Sequence, residues 1–141
     1  AGRLARGCAA NGGGCGGTAL MDEQEFQRCA KYLESALEYS GGTHGIEDIA
    51  EGVREGRYQF WPAPNSAAIT EIIVYPRLKE LHCFLAGGDL DELKVMRPFV
   101  EAWGKRHGCS RSTFSGRRGW ERTFMKDEGY EPRWFIVSKE L

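Results

Sequence analysis

A chain of 141 residues with a net charge of −1, 41% hydrophobic and 28% charged residues, has the size and make-up of one soluble globular domain. The acidic balance argues against a general nucleic-acid or anionic-membrane binder, since both carry a basic excess. No apolar run approaches the roughly 20 residues needed to span a bilayer.

Residues 1–20 differ in composition from everything that follows. They hold seven of the 19 glycines, no acidic residue and no aromatic. Such a segment cannot bury enough apolar surface to offset its ordering entropy, so it is expected to be a flexible extension. Met21 directly after it reads as the natural initiator. The alternative is an arm that orders against a protein partner. Residues 21–141 then form the single domain.

Asp22–Tyr39 carries Phe26, Cys29, Ala30, Leu33, Ala36 and Leu37 at three- and four-residue intervals, which predicts an amphipathic helix. Gly41-Gly42 ends it, and Thr43 is placed to cap a second helix carrying Ile46, Ile49 and Val53. His44 reads as a solvated loop residue. Tyr58–Trp61 is a short aromatic strand stopped by Pro62 and Pro64. Ala67–Tyr75, a turn at Pro76-Arg77 and Lys79–Leu85 make an antiparallel hairpin.

Ala86-Gly87-Gly88-Asp89 then leads into a helix over Asp89–His107, where Asp89 and Glu92 resemble a capping box. Pro98 lies inside that helix, and one bent helix is expected rather than two. Gly108 ends it. Cys109–Phe114 should be a strand parallel to Lys79–Leu85, reached by a right-handed crossover. Gly119–Glu128 reads as a short helix and Trp134–Ser138 as a last strand.

The five cysteines (Cys8, Cys15, Cys29, Cys83, Cys109) form no CxxC pair, and the three histidines are not spaced with them as zinc ligands. No metal is expected. Free thiols and the lack of an apolar leader predict a cytoplasmic protein.

The element order, a glycine loop after the middle strand, the segment W-E-R-T-F-M-K-D-E-G-Y-E-P and the ending F-I-V-S-K-E-L resemble the GNAT acyl-CoA N-acyltransferases over about residues 22–141. The form is similar to compact GNAT-like proteins of tailed phages and prophages, which would put the chain in a host cytoplasm or a virion. The resemblance implies an α/β three-layer fold, with a mixed, mostly antiparallel sheet and a splayed parallel strand pair. It implies acetyl-CoA or another acyl-CoA between Lys79–Leu85 and Cys109–Phe114, touching Phe84, Leu85, Ala86, Gly87 and Gly88. It places an amine substrate near Thr70–Ile72 and Tyr130. Where the family has Q/R-x-x-G-x-G/A, this chain has A-G-G-D-L-D-E, and the usual late tyrosine aligns near Met125. A carboxylate about 5 Å from a pyrophosphate charge opposes it by about 3 kcal/mol at an effective dielectric of about 20. Arg117 or Arg118 would have to compensate.

Transfer to an amine needs a base for the amine and an acid for the leaving thiolate. Glu71, mid-strand among apolar neighbours, is one candidate base, or else an outward-facing strand residue. His82 is the other, or else a half-buried strand residue. Tyr130 is a candidate acid, or else a packed aromatic, and Cys83 reads as core. Ser110, Ser112 and Ser115 lack a G-x-S-x-G elbow. Arg111, Arg117, Arg118 and Arg122 could face CoA phosphates, bind a protein or nucleic-acid partner, or simply be solvated. The sequence therefore poses two functions: an acyl-CoA-dependent N-acyltransferase, or a catalytically degenerate GNAT-fold binding or assembly protein such as a phage morphogenesis component.

Overall fold

The computed structural model describes residues 21–141. The expected extension, residues 1–20, lies outside the described residues, as do Cys8 and Cys15. Helix α1 (Glu23–Leu37) starts where Asp22 accepts the N–H groups of Gln24 and Glu25 at 3.1 Å, and it buries Phe26, Cys29 and Leu33. Helix α2 (Ile46–Arg54) begins two residues later than Thr43 would set it. Its cap is Gly45, whose N–H donates to the Asp48 carboxylate at 2.8 Å, while Thr43 bonds to His44 instead.

Four strands follow: β1 (Tyr58–Ala63), β2 (Ser66–Val74), β3 (Lys79–Gly88) and β4 (Arg111–Phe114). They lie side by side in chain order, the first three antiparallel and β4 parallel to β3. Pro62 does not stop β1. It pairs opposite Ala67 in an edge strand, where a missing N–H can face away from the ladder. Between β3 and β4 runs α3 (Leu90–Arg106), with Pro98 inside one helix. The carbonyl that Pro98 leaves without a donor belongs to exposed Lys94, where water can serve it.

The layers follow from strand alternation. Phe60, Ile69 and Leu85 meet Phe26, Leu33 and Ile49 on the α1/α2 side of the sheet. Trp61, Ala68 and Leu81 meet Leu93, Met96 and Trp103 on the α3 side. Helix α3 comes close enough to β3 that a Cβ on Gly104 would stand 2.8 Å from Leu81.

One irregularity breaks the alternation. Ile69 faces Leu85 and Thr70 faces Cys83, so Phe84 has no partner in β2. This β-bulge puts Phe84 and Leu85 on the same side, packed toward α1 and α2, and returns Ala86 to the α3 side.

The end of the chain departs from expectation. The helix expected over Gly119–Glu128 is a 3-10 turn, Arg118–Arg122, followed by hydrogen-bonded turns up to Tyr130. Trp134–Ser138 forms no strand: Phe135, Ile136 and Val137 are 84–93% exposed. Pro132 withholds a donor from any ladder, and Trp134 makes its contact through its ring, 5.1 Å from the Arg111 guanidinium. The mixed, largely antiparallel three-layer α/β architecture is otherwise as expected.

Candidate functional site

Strands β3 and β4 pair only from Glu80–Arg111 to Cys83–Phe114. One further link, Ser115 N–H to the Cys83 carbonyl at 3.1 Å, closes the vertex. Beyond it β3 continues to Gly88 while the other chain turns away. Gly116 makes that turn possible, since a Cβ there would come within 2.7 Å of the Phe114 ring and 3.0 Å of Trp120. The gap opens into a cleft of about 910 Å³, walled by Phe84–Gly88, by Ser115 and Arg117, and by Tyr39 and His44 beyond the end of α1. Glu71 lines its floor.

Glu71 and His82, read from sequence as alternative bases, are direct cross-strand partners in β2 and β3 and share a face. His82 is half-buried. Its Nδ1 lies 2.8 Å from Thr113 Oγ1 and its Nε2 lies 3.0 Å from Ser115 Oγ. Burial pulls the imidazole below its usual pKa, and the carboxylates of Glu71 and Glu80 pull back less strongly. The ring is therefore neutral near pH 7.

Tyr130 is on the other side of the sheet. Its hydroxyl donates to Glu101 Oε1 at 2.8 Å and lies 2.7 Å from Ser112 Oγ. Glu101 in turn pairs with Arg97, which also holds Glu128 at 2.7 Å. Burial pushes the phenol well above its usual pKa. This network borders a small, mostly apolar cavity of about 70 Å³ beside Thr70, Cys83 and Phe124. Ala86, Phe114 and Trp120 line both the cavity and the large cleft, so the two stand back to back at the parting strands. Cys83 is half-buried against the α3-side core, its thiol pushed up by burial to about 12.

Phe84 to Gly88 form one wall of the cleft, although Leu85 is largely buried beneath it. The two glycines have packing roles of their own. A Cβ on Gly87 would stand 2.3 Å from the Tyr32 backbone oxygen, and one on Gly88 would stand 2.2 Å from that of Asn65. Two amides at the start of α3 are also engaged. Asp89 N–H donates to the Asn65 carbonyl at 2.9 Å, and Glu92 N–H donates to the Asp89 carboxylate at 3.1 Å. The Glu92 carboxylate accepts Asn65 N–H at 2.9 and 3.0 Å.

The four arginines do not form one patch. Arg111 pairs with Glu80 at 2.8 Å at the start of β4. Arg117 lies past the other end, in the cleft, with its guanidinium 4.0 Å from the Tyr39 ring centroid. Arg118 and Arg122 are exposed on the 3-10 turn.

Sequence reasoning missed Thr113, Tyr39 and His44. His44 is half-buried, 2.8 Å from Thr43 Oγ1 and 3.4 Å from the Tyr58 hydroxyl, rather than a solvated loop residue. Only the strand register could have revealed Thr113 as a partner of His82, two places along from the Glu80–Arg111 pair. Among the described residues, no helix is long and apolar enough to cross a membrane, and no group of three or more His, Cys, Asp or Glu side chains could hold a metal ion.

No protein-family model and no curated protein matches the chain. Solved structures do. A GCN5-related N-acetyltransferase from Ralstonia eutropha superposes with a TM-score of 0.64 at 11% identity, over 83% of this chain and 93% of that one. An acetyltransferase from Trypanosoma brucei gives 0.63 at 12%, over 86% and 96%. A ribosomal-protein-alanine N-acetyltransferase from Brucella melitensis gives 0.57 at 13%, over 81% and 94%. At these identities the likeness is one of fold, and the fold is that of GNAT-type acetyltransferases.

Proposed function

We propose that the chain is an N-acyltransferase that moves an acetyl or other acyl group from acyl-CoA to a primary amine. The observation that carries this reading is the parting of β3 and β4 at Cys83 and Ser115, which opens a long cleft with Ser115 in its wall and the His82 imidazole 3.0 Å behind the Ser115 hydroxyl. A slot between two diverging strands suits the pantetheine arm, because Phe84–Gly88 end their pairing with β4 and leave that backbone edge to a ligand. Arg117 lies across the slot and would meet the phosphates. Asp89, Asp91 and Glu92 oppose them, so Arg117 decides whether the anion is held.

Acyl-CoA supplies the activated thioester. His82 Nε2, or the Glu71 carboxylate opposite it, takes the proton from the attacking amine. The bulge at Phe84 bends the backbone at the vertex, where an amide donor would stabilise the developing oxyanion.

Acetyl-CoA titration by thermal shift tests the reading. At about 100 times its Kd a ligand adds about 2.7 kcal/mol, which is about 5–10 °C for a domain of this size. No shift at millimolar acetyl-CoA sinks the enzyme reading. It would favour the second one, a binding or assembly protein of the same fold, including a phage morphogenesis component. The observation behind that reading is that two amides at the start of α3, those of Asp89 and Glu92, are already bonded within the chain.

A further inference from the structure

We propose that Ser115 is a nucleophile, activated by His82 and oriented through Thr113, which carries the acyl group as a serine ester before passing it on. This rests on the acyl-transfer reading for its natural donor, but not for its chemistry. Three features place the group. Ser115 Oγ lies 3.0 Å from His82 Nε2, within the reach that lets a neutral imidazole take a hydroxyl proton. Thr113 Oγ1, 2.8 Å from Nδ1, accepts the Nδ1–H of the tautomer whose Nε2 is free to act as base. The Ser115 backbone is pinned by its bond to Cys83 and by the tight turn at Gly116, so the hydroxyl stands at the vertex, facing the cleft.

Glu71 completes the arrangement without a hydrogen bond. It is the cross-strand partner of His82, and its charge favours the imidazolium that forms during attack. The arrangement has the logic of nucleophile, base and orienting group without the strand-to-helix elbow that a sequence motif would have revealed.

The steps balance. Ser115 Oγ bonds to the thioester carbonyl carbon as its proton passes to His82 Nε2. The carbon–sulfur bond breaks, and the leaving thiolate takes that proton. The amine then attacks the serine ester and gives its proton to Nε2, and the carbon–Oγ bond breaks as Ser115 recovers it. Water in place of the amine releases a free acid instead.

The test uses an alkyl phosphonofluoridate, which phosphonylates an activated serine irreversibly, releases fluoride and needs no CoA. Full-length protein is treated and the adduct is mapped by peptide mass spectrometry. One adduct per chain on Ser115 is expected, absent in Ser115→Ala and formed at least tenfold more slowly in His82→Gln. Melting curves of both variants establish that they fold. No adduct on Ser115 in folded wild-type protein overturns the inference. If acetyl-CoA raises the melting temperature while no adduct forms, the serine ester falls and direct attack by the amine stands. If the adduct forms without a response to acetyl-CoA, the activated serine stands and the acyl-CoA reading falls.

Discussion

Glu71 and His82 face each other across β2 and β3, with His82 two residues before the bulge at Phe84. Burial holds the imidazole below its usual pKa, and the Glu71 charge works against that. Glu71→Gln removes a charge that favours imidazolium, so the His82 pKa falls further. The acid limb of the kcat/KM profile should then move to lower pH, with the neutral-pH rate little changed. If the rate collapses at every pH instead, Glu71 is the base and His82 is not.

His82→Gln removes the proton acceptor and should lower kcat by about 10²–10⁴. KM for acyl-CoA should change little, because the walls of the cleft are untouched. Steady-state kinetics with varied acyl-CoA and saturating amine separates the two constants. An unchanged kcat removes His82 from the mechanism.

The same residue predicts a pH dependence of stability. Its folded pKa is below the unfolded value of about 6.5, so as pH falls the unfolded chain binds the proton first. Stability is unaffected by this group above about pH 7 and is lost as pH drops through and below 6.5. The charges that bear on the ring are Glu71 and Glu80, the latter already paired with Arg111. Urea midpoints at pH 7.5 and 5.5 should differ more in wild type than in His82→Gln.

Gly87 and Gly88 should matter to folding in the absence of any ligand. Gly88 has φ +100°, and a Cβ at either position meets backbone oxygen at 2.2–2.3 Å. Neither Tyr32 nor Asn65 can yield without moving α1 or the β1–β2 turn. Gly87→Ala and Gly88→Ala should each cost about 1–3 kcal/mol in chemical denaturation. A wild-type midpoint for both would mean that the backbone gives way and that these glycines are kept for a ligand.

Those glycines show where a sequence stops being legible. A strand, Gly-Gly and a helix start read alike whether the glycines admit a phosphate or another backbone. Only the approach of Tyr32 and Asn65 tells the two apart. The hairpin at Pro76-Arg77 and the strand–helix–strand crossover were legible because each rests on local turn chemistry or alternation. The bulge at Phe84 was not, since H-C-F-L-A offers no polar break in its alternation. The F-I-V stretch near the C-terminus reads as a strand on β-propensity, yet pairing depends on a partner edge and on available donors, which Pro132 reduces. His82, Thr113 and Ser115 come together through parallel pairing across a whole helix, a relation that no spacing along the chain encodes.

Arg117 should govern ligand affinity without governing stability. It is exposed, stacks on Tyr39 and is in none of the ion pairs among the described residues. Charge-assisted hydrogen bonds to phosphate contribute about 1.5–3 kcal/mol, so Arg117→Ala should weaken acetyl-CoA binding about 10- to 150-fold. Raising salt should weaken the wild type toward the variant. Calorimetric titration at two ionic strengths checks both effects, and equal affinities at low salt would leave the phosphates without this partner.

Tyr130 separates structure from chemistry most cleanly. Its hydroxyl joins α3 to β4 through Glu101 and Ser112, and Glu101 is shared with Arg97. Tyr130→Phe leaves both partners facing a ring edge. Losing a partly buried hydrogen bond to a carboxylate should therefore cost about 1–3 kcal/mol of stability. The phenol's raised pKa also means that the unfolded chain ionises first near pH 10, so wild-type stability should fall above that pH and fall less in the variant. If Tyr130 acts only as this tie, kcat stays within a few-fold of wild type at a temperature where both proteins are folded. A drop of a hundredfold or more at full foldedness would instead give the hydroxyl a part in the reaction beyond this tie.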